Sequence, residues 1–292
     1  MKWTPGGTSD DIQDERDSSG GTGGGIGPIH LGIGGTIIVG ILSLVFHQNL
    51  FDVINGGDSS SGAPSGVRRP ADPAQNSAQD AAEKPEVEFV SFVLDDVQKT
   101  WTALLTAQGS VAYRRAKLVL YRDAYPSGCG TAQTSTGPFY CPEDQKVYLD
   151  LGFFNELKTR FHAPGEFAQA YVIAHELGHH VQYLLGIEQK MRRLQQQEPR
   201  ETNPLSVKLE LQADCFAGVW AHSTEQRQIA DNQDVAAAIN AAAAVGDDRL
   251  QKAGQGYVNP DSFTHGSSAQ RENWFQRGAK AGLISDCNTF GR

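Results

Sequence analysis

The segment His175-Glu176-Leu177-Gly178-His179 carries residue types suited to hydrolytic metal chemistry, at a spacing that suits it. On a helix, histidines at i and i+4 lie one turn apart on the same face. Both imidazoles can then bind one Zn²⁺, and the glutamate between them can reach a water in the open fourth position. The neighbours supply the helix. Phe167, Tyr171, Ala174, Leu177, Val181 and Leu184 recur at helical spacing, with Pro164 where a first-turn proline is tolerated and Gly186 where a C-terminal cap is expected. His175 and His179 are therefore candidate ligands and Glu176 a candidate general base.

A catalytic zinc takes three protein groups. Glu210 is the candidate third ligand: it opens Glu210-Leu211-Gln212-Ala213-Asp214 in a second helix-like run, 206–222, with Asp214 one turn later on the same face. Asp214 could accept the free N–H of a ligating histidine and fix its tautomer. The alternative is a pair of solvated helix carboxylates, but Leu209, Ala213, Phe216, Ala217, Val219 and Trp220 make the run too apolar for that, and a charge in such surroundings needs a partner.

The pairing of this helix with Glu-x-x-Ala-Asp resembles the gluzincin clan of metallopeptidases. The runs Ser127-Gly128-Cys129-Gly130, Gly137-Pro138-Phe139-Tyr140-Cys141-Pro142, Ala170-Tyr171-Val172-Ile173-Ala174-His175-Glu176, Glu210 to Trp220 and Phe263-Thr264-His265-Gly266-Ser267-Ser268 resemble, more narrowly, the bacterial family of predicted neutral zinc metallopeptidases. The resemblance covers roughly 89–292 and, more loosely, the segment before it. It implies a zincin-like fold, a bound Zn²⁺ and a domain outside the cytoplasm. Membrane-associated gluzincins of the heat-shock and prenyl-protein protease type carry Thr-His-Pro followed by an arginine near the site. Thr264-His265 with Arg271 is similar, with Gly266 in place of the proline. By that analogy His265 or Arg271 would stabilise an oxyanion; otherwise they are a loop histidine and an exposed arginine before an amphipathic helix.

Other histidines fit structural roles. His180 points about 100° away from His179 around the helix, and His162 and His222 have no ligand-like spacing. The four cysteines lack a C-x-x-C pattern, which excludes a zinc ribbon. Cys129 and Cys141 flank a Gly- and Pro-bearing loop that a disulfide would tie down. Cys215 and Cys287 could form a second bridge, or Cys215 could be a buried thiol. A disulfide would place the domain in an oxidising compartment.

Composition divides the chain. Residues 1–28 form a polar, Gly-rich tail. Residues 18–51 carry no charged side chain, and 29–51 reach the roughly 20 apolar residues a bilayer requires, with an acidic leader that suits an uncleaved signal anchor better than a signal peptide. Residues 52–85 read as a disordered linker of Ser, Gly, Ala, Pro, Asp and Gln, and 86–292 as the catalytic domain. That domain opens on a helix bearing Phe89, Val93, Val97, Trp101 and Leu105; 117–121 and 146–151 read as strands, with 139–151 either the rim for extended substrate or a core strand without substrate contact. Asp247-Asp248 suit a helix terminus with local ion pairing better than a calcium site. A net charge of −9 and the lack of a basic run argue against nucleic acid as a partner.

The expected fold is α+β and mostly helical, a zincin-like metallopeptidase domain after a single N-terminal transmembrane helix. The expected function is a single-pass, membrane-anchored zinc endopeptidase acting on polypeptides from outside the cytoplasm. The alternatives are a non-catalytic zinc-fold scaffold or peptide-binding module of the envelope, and a zinc amidase acting on cell-wall peptides.

Overall fold

The structure, a computed structural model, describes residues 1–17 and 73–291. Its first helix, α1 (Pro73–Gln108), starts on a proline at a position that needs no N–H donor and runs through an Ala-, Gln- and Glu-rich stretch of high helix propensity. Val90, Val93, Leu94, Val97, Trp101 and Leu105 then recur at helical spacing and are fully buried. The expected linker therefore needs correcting. Residues 73–85 are the first turns of α1, with Pro85 inside the helix, while 52–72 lie outside the described residues.

A four-stranded sheet packs beside α1 in the order β1 (Ile12–Asp14), β2 (Lys117–Tyr121), β6 (Lys146–Asp150), β5 (Phe139–Cys141). β1, β2 and β6 are parallel; β5 is an antiparallel edge, with Phe139 opposite Tyr148. Alternation sorts the side chains. Leu118, Leu120, Val147 and Leu149 enter the main core with the helices. Val119, Tyr121 and Tyr148 face a smaller cluster closed by the hairpin β3 (Ala124–Ser127) and β4 (Gly130–Gln133), which the Cys129–Cys141 disulfide ties to β5.

The N-terminal tail also departs from expectation, because residues 1–17 belong to this body. Ile12 pairs with Leu118 in parallel register, and the Trp3 ring stands edge-on to Phe89 at 5.4 Å. Asp11 is buried and accepts from Lys117 Nζ at 2.8 Å, Gln98 Nε2 at 3.1 Å, and Arg115. Among the described residues no helix is long and apolar enough to cross a membrane. The expected span, 29–51, lies outside them.

The short helix α2 (Gly152–Thr159) follows β6, and α3 (Glu166–Leu184) and α4 (Ile187–Gln197) come next. After them come α5 (Thr202–Gln226), α6 (Asn232–Ala244), α7 (Asp247–Gln255) and α8 (Ser268–Ala281). The closest helix pair is α5 with α8, and two glycines permit it. A Cβ on Gly278 would fall 2.0 Å from the Cys215 carbonyl oxygen, and one on Gly218 would fall 2.1 Å from that of Phe275. The Cys215–Cys287 disulfide closes the same contact from the C-terminal segment. The obstructing atoms are backbone, so Gly278→Ala should destabilise the fold by about 3 kcal/mol, the upper end of overpacking costs. A lower urea midpoint at unchanged slope would show it; an unchanged midpoint would contradict this packing.

Candidate metal centre

The centre forms where α3 and α5 cross. Gly178, inside the His-Glu-x-x-His segment, allows the crossing: a Cβ there would lie 3.1 Å from the Ala213 carbonyl oxygen and 3.2 Å from the Ala213 Cα. The close approach brings the Glu210 carboxylate between the two imidazoles. His175 Nε2 lies 3.2 Å from Glu210 Oε2, and His179 Nε2 lies 3.5 Å from Oε1. One ligand atom from each of the three residues falls within 4.8 Å of the others. Tetrahedral zinc with bonds of roughly 2.0–2.2 Å places its ligand atoms about 3.4 Å apart, so this donor set fits the ion in both chemistry and spacing.

The outward ring nitrogens are held from behind. Asp214, with 0% of its surface exposed, lies 2.9 Å from His175 Nδ1 and accepts from Tyr171 Oη at 2.5 Å. It also accepts from Arg271 Nε at 2.8 Å and Nη2 at 3.0 Å. His179 Nδ1 faces Gln182 Oε1 at 2.9 Å, and Gln182 donates onward to the Leu209 carbonyl at 2.7 Å. Each histidine thus offers Nε2 forward, with its other nitrogen fixed by a partner that orients the ring. Burial works against the charge on His175, yet Asp214 and Glu210 outweigh it and raise its pKa to about 10. Glu210 is also opposed by burial but sits far below the usual carboxylate range, held there by His179, His265 and His175. The electrostatics of the site therefore favour positive charge.

Glu176 is buried beside this group, and its Oε2 accepts the Tyr140 backbone N–H at 2.8 Å. Burial, and after it the negative charge of Glu210, outweigh His175 and that N–H and push the carboxyl up to about 7. Tyr140 lies in the middle of β5, so the base is anchored to the edge strand of the sheet, within the expected substrate rim.

His265 and Arg271 separate in role. The Arg271 guanidinium is 3% exposed and is engaged by Asp214, Tyr171 and the Val245 carbonyl, on the Nδ1 side of His175, away from the Nε2 that faces Glu210. The expected oxyanion role is thus corrected for Arg271, which compensates the charge that orients His175. His265 lies near enough to Glu210 that this carboxylate helps to raise its pKa against burial. Its Nδ1 is 3.2 Å from Asp247 Oδ1, while Asp247 Oδ2 accepts the backbone N–H groups of Thr264, His265 and Gly266 at 2.7, 2.7 and 3.0 Å. His180 has a packing role, with Nδ1 3.0 Å from Tyr140 Oη and Nε2 2.6 Å from the Arg114 carbonyl. His222 meets the Ala279 carbonyl at 2.8 Å, and His162 adopts a left-handed backbone.

Four contributors escape the pattern of the sequence: Tyr140 through its backbone, Tyr171, Gln182 and Asp247. Tyr171 and Gln182 each had a signal, standing four residues before His175 and three after His179 on one helix. Asp247 had only its place at a helix start, because its partner is contributed by a distant loop.

A family model described as "Putative neutral zinc metallopeptidase" matches residues 1–290. The uncharacterized protein YpfJ of Escherichia coli (strain K12) is 44% identical over 299 residues, covering 100% of this chain and 99% of that protein. The uncharacterized protein Rv2575 of Mycobacterium tuberculosis (strain ATCC 25618 / H37Rv) is 42% identical over 207 residues, 67% of this chain and 68% of its own length. No solved structure matches.

Proposed function

This chain belongs to the neutral zinc metallopeptidase family, and from that premise we propose that it is a zinc-dependent endopeptidase in which Glu176 is the general base. The observation that carries the reading is the convergence of His175, His179 and Glu210, with the raised carboxyl of Glu176 beside them. Zinc held by those three residues would supply Lewis acidity toward a scissile carbonyl and toward water. Glu176 takes the proton of the attacking water and passes it to the leaving amine, and the Tyr140 N–H keeps the carboxylate in place for both transfers. His265, steadied by Asp247, donates to the developing oxyanion. The edge strand β5 takes an extended peptide backbone, which favours polypeptide over small amide substrates. Two disulfides suit an oxidising compartment, and the apolar residues 29–51 suit association with a membrane.

Chelation should abolish cleavage of casein and added Zn²⁺ should restore it, with peptidoglycan fragments left intact in a parallel digest. Cleavage of the fragments alone would favour the amidase reading. The base must be ionised to act, so activity falls as pH drops through its pKa; bound Zn²⁺ can only lower that value, and the acid limb of kcat/KM is expected at or below about 7. An acid limb well above neutrality would assign the base elsewhere. Asp247→Asn should lower kcat/KM by about 10- to 100-fold with zinc content unchanged. Full activity in that variant would remove His265 from the oxyanion role.

A further inference from the structure

The two flanks of the apolar stretch touch each other. Arg16, before it in the chain, pairs with Glu83 of α1, after it, at 2.6 Å, and its Nη1 lies 3.6 Å from Asp80. Arg122 of the main body joins both sides, donating to Asp80 and Glu83 at 2.6 Å each and to the Arg16 carbonyl at 3.2 Å. From these contacts we propose that residues 1–17 and 73–291 stand on the same side of any membrane the protein meets. A single bilayer crossing between these two described segments is then incompatible with the docked fold.

The argument is one of dimension and composition. A single crossing separates its flanks by a hydrocarbon layer about 30 Å thick and takes roughly 20 apolar residues. Residues 29–51 suffice for one crossing only. A return passage is not available: 52–72 contain Asp58, Arg68 and Arg69 among Gly, Ser and Pro, and 18–28 are Gly- and Ser-rich. Charged side chains within the hydrocarbon are strongly disfavoured. Opposite-side placement would therefore require the N-terminal segment to leave the fold.

Leaving would be costly at several points together. β1 would abandon its pairing with β2, exposing an edge of the sheet. Trp3 would leave Phe89 and Phe92, which lie 5.4 and 6.1 Å from its ring. Asp11 would desert Lys117, Arg115 and Gln98. Undocking would remove the interactions of two charged clusters and one aromatic cluster. The docked chain and the once-crossing chain are thus mutually exclusive, and the contacts favour the docked one. This inference is independent of the zinc chemistry.

Two measurements on the full-length protein test it. The first labels Gly6→Cys and, separately, Lys252→Cys with a membrane-impermeant maleimide in intact and in lysed cells. A Cβ at Gly6 meets nothing within 4 Å, and Lys252 is exposed on the main body, so both variants should fold. Both cysteines are expected to react in the same preparations. Reaction of one in intact cells and of the other only after lysis would overturn the proposal. The second uses the unaltered chain in its cellular setting: a zero-length carbodiimide should join Asp11 to Lys117, whose charged atoms stand 2.8 Å apart. Recovery of that cross-linked peptide supports docking, whereas its absence together with labelling on opposite sides excludes it.

Discussion

Replacing Glu176 by Gln is expected to leave zinc bound at an unchanged level and to lower peptide-bond hydrolysis by about 10³-fold, within the range of a lost general base. The amide keeps the volume of the carboxylate, and its carbonyl oxygen can still accept the Tyr140 N–H, so the strand and helix contacts survive. His175, His179 and Glu210 are untouched, which is why metal content should not change. Only proton acceptance is lost, and the defect should therefore appear in kcat with little change in KM. Retained proteolysis in the purified variant would sink the assignment of the base.

The second large effect concerns stability. Arg271→Met is expected to cost about 3–5 kcal/mol, because it strands the fully buried Asp214 with its negative charge uncompensated. Burial alone would raise the Asp214 pKa; Arg271 first, then His175, reverse that and hold the group ionised. Arg271→Met combined with Asp214→Asn should recover much of the loss, since the stranded charge is gone while the Asn oxygen still accepts from Tyr171. It should not recover zinc affinity, which is expected to stay about 10- to 100-fold weakened without a carboxylate behind His175. Denaturant melts of wild type and the single and double variants, with zinc titrations on the same samples, separate the two roles. A single variant as stable as wild type would mean that the pair carries no compensation.

Much of this centre is legible in the sequence because helices make spacing into geometry. His175 and His179 share a face by periodicity alone, with Glu176 between them one residue round the helix, and Glu210 with Asp214 stand out as acids one turn apart in an apolar run. The strands at Lys117–Tyr121 and Lys146–Asp150 are readable from their β-branched and aromatic residues. What escapes depends on partners far along the chain. Ile12–Asp14 is too short and too acidic to read as a strand; it becomes one because β2 offers an edge and because Lys117 and Arg115 neutralise Asp11 while Gln98 donates to it. Arg271 reads by analogy as an oxyanion group, and only the crossing of α5 and α8 turns it toward Asp214. The span 73–85 reads as a linker through its Ser, Asp and Pro, yet its Ala, Gln and Glu sustain a helix once 87–105 supply a buried face.

The central claim is that His175, His179 and Glu210 hold one catalytic zinc. Zinc content of the full-length protein, wild type beside His175→Ala and Glu210→Ala, tests it most directly when casein cleavage is assayed on the same samples. One zinc per wild-type chain, lost from both variants together with cleavage, is the expected result. A wild-type protein that takes up no zinc, or variants that keep both metal and activity, would contradict it.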